Sequence, residues 1–348
     1  MQCKKRNRFI QFVSVVVITT LATVALSSCE RIFEDLDPCP HGVALRFVYD
    51  YNMEYANAFP SQVDCLTLYV YDEEGNYVDT KVVTGTELQD ENYRMILDLG
   101  EGKYHFVAYG GMACEQSSFS MVQTPMKGSK RTDLKALMDA DCLTVPERRK
   151  LHDMFWGDLT LETADLYSEG TVKMMKNTNS IRIVLQHVDG EPVNAGDFDF
   201  EITDSNILFG PDNDLIHDAV LFPEGENVTY IPWAKGQAQT GVAIVGPDQV
   251  EPQPVEVAYA ELSTSRLMMK NSPRLLVTSR KSGEPVIDFP LNRYLVLLRS
   301  EHYQMGDQEY LDRESRWTLF FFLKSDNSWL NTRIVVNDWV VRINNVEL

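Results

Sequence analysis

The chain has 348 residues, 51 acidic and 32 basic, giving a formal net charge of −19, with 44% hydrophobic residues. That apolar content is globular rather than disordered, and the length exceeds one ordinary core and suits two domains. So acidic a surface repels phosphate, which excludes nucleic acid as a partner and disfavours anionic lipid.

The first element in chain order is a targeting segment. Lys4, Lys5, Arg6 and Arg8 form a positive start, residues 9–26 are apolar, and small residues close the run, the pattern of a secretory signal peptide over 1–28. The closing Leu26-Ser27-Ser28-Cys29 resembles the lipobox of bacterial lipoproteins, which assigns Cys29 to acylation after cleavage. A transmembrane helix is the competing reading; Gln11, Ser14 and the threonines dilute it, and about 18 apolar residues are at the lower limit for a span. Cleavage removes four of the 32 basic residues and no acid, leaving 28 − 51 = −23. Residues 29–40, acidic and ending in proline, read as a lipidated tether.

Strand periodicity follows. In "VALRFVYDY" Val43, Leu45, Phe47 and Tyr49 alternate, and in "CLTLYVYD" Leu66, Leu68 and Val70 do; Asp72 to Asn76, with Gly75, then turns the chain into a second strand at Tyr77. In "LGEGKYHFVAYGG" a Gly-rich turn precedes Tyr104, which fits a tyrosine corner of a Greek-key sandwich or an ordinary strand that begins with Tyr. Between Gly128 and Gly157, Leu134, Leu137 and Met138 and then Leu151, Met154 and Phe155 predict a short helix or two. Beyond Thr171 the segments "SIRIVLQHV", "FDFEI", "VTYIPW", "RLLVTS", "YLVLLR", "WTLFFFL" and "TRIVVNDWVVRI" read as strands. The fold class is all-β: two tandem β-sandwiches, 41–166 with a short helical segment and 167–348.

Cys39, Cys65, Cys114 and Cys142 remain once Cys3 leaves with the signal and Cys29 takes lipid, and they can pair in three ways. No CxxC, HExxH, GxSxG, P-loop or dinucleotide fingerprint occurs, and His41, His105, His152, His187, His217 and His302 show no metal-ligand spacing. The sequence therefore predicts no enzyme and no cofactor apart from the lipid. A hydrolase would rest on the abundance of acids alone. "GPDNDLIHD" gathers Asp212, Asp214 and Asp218 around Asn213 with oxygen ligands that suit calcium, but it lacks the EF-hand glycine and glutamate and equally suits a solvated Asp/Asn turn. Trp156, Trp233 and Trp329 could stack on sugar rings or fill a core. In "RIVVNDWVVRI" both faces of a single strand are apolar, which fits a central strand or a C-terminal strand that completes another subunit's sheet through Ile334, Val336, Trp339, Val341 and Ile343.

The lipobox, "DPCPHGV" at 37–43, "FVYDYNMEYANAF", "VDCLTLYVYDEEGNYV", "LGEGKYHFVAYGG" and the closing "RIVVNDWVVRI" together resemble the lipoprotein anchor subunits of Bacteroidales-type fimbriae. The resemblance implies two transthyretin-like β-sandwiches, no catalysis, outer-membrane attachment through Cys29, and fimbrial stalk or accessory subunits joined by strand exchange. A surface lipoprotein that binds glycan is the alternative from another class.

Overall fold

A computed structural model describes residues 42–163, 167–242, 254–300, 302–336 and 339–341. The first half holds β1 (Val43–Val48), β2 (Leu66–Tyr71), β3 (Tyr77–Val83), β4 (Met95–Leu97), β5 (Gly102–Gly110), β6 (Phe119–Met121), β7 (Ala136–Met138), β8 (Phe155–Thr163) and β9 (Ser168–Lys176). The second holds β10 (Thr178–His187), β11 (Phe198–Asp204), β12 (Leu208–Phe209), β13 (Val228–Tyr230), β14 (Ala234–Val242), β15 (Pro254–Ser265), β16 (Arg274–Ser279), β17 (Pro285–Pro290), β18 (Arg316–Leu323), β19 (Trp329–Val336) and β20 (Trp339–Val341). Helices are short: α1 (Phe59–Gln62), α2 (Asp141–Thr144), α3 (Leu291–Leu297) and α4 (Asp307–Arg313). The fold is all-β, as the alternation predicts.

Seven strands form one sheet in the order β3-β2-β5-β8-β9-β1-β4. The second half splits into a six-stranded sheet, β14-β15-β10-β18-β19-β20, and a four-stranded one, β13-β11-β16-β17. Each half closes by a parallel pair: β1 lies beside β9 with Val43 opposite Ser168, and β10 beside β18 with Ser180 opposite Arg316. A parallel pair needs a long return path, so each strand must wait for nearly its whole half before its partner is made.

The expected boundary after residue 166 is therefore corrected. β9 lies past that point yet hydrogen-bonds to β8 and β1, inside the first sheet. The sheets change at Asn177, the one residue between β9 and β10. Asn177 is fully buried; its amide and that of Asn213 exchange hydrogen bonds of 2.6 and 2.9 Å, and its N–H donates to the Met154 carbonyl. A buried amide so fully bonded is fixed in place.

Two cores result. Val43, Leu45, Phe47, Leu66, Leu68, Val70, Phe106, Ala108 and Phe155 form one within the first half. Tyr69, Tyr71, Val107 and Tyr109, from the opposite face of the same sheet, join Phe119, Met138, Ile181, Ile183, Phe200, Phe289 and Phe321 in a second core common to both halves. This is why β2 is buried at every position: a strand covered on both faces has no polar side. Across the outside, the Arg313 guanidinium stacks 4.1 Å from the Tyr51 ring and 4.6 Å from the Tyr55 ring, tying α4 to the loop after β1.

Three local expectations change. Leu134 to Met138 is not helical: Leu134, Ala136 and Met138 are buried in alternation, and β7 pairs with β6 and with β12 in a small sheet that unites the halves. The helix expected in this region is the single turn of α2 at 141–144. "YLVLLR" is not a strand but most of α3, because Leu291, Tyr294, Leu295 and Leu298 are buried at i, i+3, i+4 and i+7. Tyr104 begins on β5 over Gly102, and among the described residues its hydroxyl has no hydrogen-bond partner, so it is a strand residue rather than a tyrosine corner.

Candidate functional site

The closing segment is two strands and not one. β19 and β20 are antiparallel, with Ile334 opposite Val341, Val335 opposite Val340 and Val336 opposite Trp339. Reading one continuous strand separated Ile334 and Val336 from Trp339 and Val341; the hairpin makes these four positions two directly opposed pairs. β19 binds β18 through Leu319 opposite Val336, and β20 comes last in the six-stranded sheet. The central-strand reading is thereby corrected: β20 is an edge, and among the described residues no strand pairs with its outer side. An edge offers a row of unpaired backbone groups to another chain. Ile343, Cys29 and Cys39 lie outside the described residues.

Of the remaining cysteines, Cys65 and Cys114 form a disulfide across a sequence separation of 49, and Cys142 is a buried free thiol. Burial in apolar surroundings raises the Cys142 thiol above its ordinary value, which keeps it unreactive. Asp64, Cys114 and His152 converge on one spot, with the Asp64 Oδ1 2.9 Å from the Cys114 sulfur and 3.2 Å from the His152 Nε2. With that sulfur in a disulfide, only Asp64 and His152 remain as donors, too few for a tetrahedral zinc site.

The acidic loop does not gather its carboxylates. Asp212 faces Arg131 at 2.7 Å, Asp218 faces Lys135 at 2.6 Å, and Asp214 lies 3.8 Å from Lys270. Asn213 sits between them at φ 62°, its side chain turned inward to Asn177. The loop is an Asp/Asn turn bonded to three separate cations. The Lys135 ammonium and the turn's own N–H groups hold the Asp218 carboxyl below the usual range.

Two of the three candidate sugar-stacking tryptophans are core neighbours: Trp156 packs on the common cluster, and Trp329 lies 5.6 Å from Phe289 and 5.7 Å from Phe321. Trp233 is half-buried, with the Lys150 ammonium 5.0 Å over its ring. A flat aromatic platform open to a sugar is not formed by these residues.

Sequence reasoning missed the polar junction around Asn177. The run Asn177-Thr178-Asn179-Ser180 opens β10, and Ser263-Thr264-Ser265 closes β15 beside it, with Thr178 opposite Ser265, Asn179 opposite Thr264 and Ser180 opposite Ser263. Small polar residues clustered at the ends of two otherwise apolar strands are the signal that could have marked it.

The family profile described as fimbrillin-A associated anchor proteins Mfa1 and Mfa2 matches residues 36–345. Among solved structures, a candidate adhesin from Bacteroides thetaiotaomicron shares 59% identity, with a TM-score of 0.81 over 89% of this chain and 100% of that one. A candidate polysaccharide binding protein from the same organism shares 30% identity, with a TM-score of 0.72 over 88% of this chain and 99% of that one. The fimbrial anchor protein Mfa2 from Porphyromonas gingivalis has a similar fold at 14% identity, with a TM-score of 0.62 over 87% of this chain and 99% of that one. No curated protein sequence matches significantly.

Proposed function

Because the chain belongs to the fimbrillin-A associated anchor protein family, we propose that it is an outer-membrane lipoprotein that holds a fimbrium at the cell surface. It acts as a structural subunit and not as an enzyme. Acyl chains on Cys29 supply the membrane attachment, and Gly42 at the start of the described chain lies 13 positions after that cysteine. Fully extended, that length reaches at most about 45 Å, enough to clear the lipid surface. A stalk or accessory subunit attaches at the other sheet.

The observation that carries this reading is the place of β20 as the last strand of the six-stranded sheet. An incoming strand from a fimbrial subunit continues the ladder there by main-chain hydrogen bonds, with Ile334, Val336, Trp339, Val341 and Ile343 supplying the side chains that select it. The glycan-binding alternative loses its aromatic platform, since Trp156 and Trp329 are packed into the core.

A Cys29→Ala variant tests the anchoring half in the native envelope. Shedding of both the variant and its fimbriae into the medium is expected. Fimbriae that stay with the cells, or a variant that remains in the membrane, would show that Cys29 is not the anchor.

A further inference from the structure

At the junction of the two halves a cleft of about 520 Å³ opens, within the range of roughly 300–1,000 Å³ typical of small-molecule sites, and domain interfaces are preferred places for them. Ser61 and Gln62 of α1 and the segment 150–153 before β8 form one wall; Thr178, Asn179, Ser180, Ser263 and Arg316 form the other. Ser263, Ser180 and Arg316 stand in one row across three neighbouring strands, since Ser180 is opposite both of the others. At about 4.8 Å per strand that row spans roughly 10 Å. Almost every lining residue is polar, Leu151 being the apolar exception.

The charge of the cleft runs against that of the molecule. Lys150, Lys176 and Arg316 line it against Asp64 and Asp153, on a chain of net charge −19. Asp153 is already engaged by the Lys176 ammonium at 2.7 Å and the Thr178 hydroxyl at 2.8 Å, whereas Asp64 shares a hydrogen bond with His152 and has no lysine or arginine partner among the described residues. Lys150, on one wall, has its ammonium over the Trp233 ring, from which it can swing to the cleft, and Arg316 lies on the other; neither has an ion-pair partner among the described residues. Three cations against two carboxylates leave the lining one positive charge in excess, which favours an anion, and a guanidinium matches a carboxylate in two-point geometry. Serine hydroxyls and the Gln62 amide both donate and accept, which suits the hydroxyls of a sugar.

We propose that this cleft binds an acidic saccharide, a sugar unit carrying a carboxylate, with Arg316 and Lys150 on the carboxylate and Ser180, Ser263 and Gln62 on the hydroxyls. The site differs from the tryptophan platform considered above and does not depend on the anchor reading.

Calorimetric titration of the full chain with digalacturonate, with its methyl ester as the uncharged control, tests this. The acid is expected to bind at least tenfold more tightly than the ester, and Arg316→Gln and Lys150→Gln are each expected to remove at least tenfold of that affinity while leaving the melting temperature and capture of fimbrial subunits unchanged. No binding at millimolar digalacturonate, equal binding of acid and ester, or affinity unmoved in either variant would overturn the proposal. Tighter binding of a hexaglutamate peptide would do so as well, by making the cleft a peptide site. If Arg316→Gln fails to fold, the exposed Lys150→Gln variant decides alone.

Discussion

The two halves begin alike and end differently. Each opens with a strand that pairs in parallel with a late strand, β1 with β9 and β10 with β18. In the first half the late strand leads within one residue into the next sheet; in the second it leads into β19 and β20, the last strand of its sheet among the described residues. The first half is further tied by the Cys65 to Cys114 bridge, while the described part of the second relies on the Arg266 and Asp312 pair. The same closing device thus leaves one region braced and interior to the chain and the other ending, among the described residues, at the strand β20 where the proposed partner would add. The common core across the junction predicts that the two nevertheless unfold together.

The strongest challenge to that cooperativity is Arg266→Met. The guanidinium makes two hydrogen bonds to the Asp312 carboxylate, at 2.7 and 2.8 Å, and one to the Asn213 carbonyl, all buried. Its removal strands a buried charge, at a cost of about 3–5 kcal/mol in urea denaturation. The double change Cys65→Ser and Cys114→Ser comes next, at about 2–4 kcal/mol from the freed chain entropy of the loop. Hydrogen exchange should show each change weakening protection in both halves; two separate transitions would contradict a shared core.

A smaller effect distinguishes the second half by pH. Burial pushes the Asp204 carboxyl up to about 6, partly opposed by the hydrogen bonds from the Ser205 N–H and the Asn271 amide. The folded chain therefore holds this proton more tightly than the unfolded chain does. Its contribution is fully present below about pH 4 and is lost as the pH rises through about 6, a change on the order of 2–3 kcal/mol. Asp204→Asn is expected to remove that slope from the pH dependence of stability, and an unchanged slope would exclude Asp204 as its source. Least of all should Arg280→Ala matter, since its 2.6 Å pair with Asp199 is exposed on both sides; no resolvable change is expected in the same denaturation, and a clear loss of stability would contradict this.

How far the sequence could be read follows from which forces are local. The strands β1, β2, β10, β11, β16 and β18 were legible because large apolar residues recur at every second position in each; in β11 and β16 this follows the buried face, while in β2 both faces are buried. α3 was misread because the five apolar residues 294–298 fit either period, and the deciding position Leu291 lies outside that run, before Asn292 and Arg293. β7 was misread because its partners β6 and β12 lie on both sides of it in sequence, the latter some 70 residues away, and no local pattern reports them. The true sheet boundary at Asn177 was hidden for the same reason: β9 belongs with β1, more than 120 residues earlier. In "RIVVNDWVVRI" the polar Asn337-Asp338 pair was the available sign of a hairpin. The acids of the 212–218 loop and the three tryptophans were legible as residues but not as sites, because only tertiary contact decides what each faces.

The most direct measurement is co-purification of fimbrial subunits with the membrane-bound chain from the native envelope, before and after deletion of residues 339–348. The account predicts that the truncated chain stays lipidated, membrane-bound and folded while the fimbrial subunits are lost from it. Subunits that still co-purify in equal amount would contradict attachment at the β20 edge.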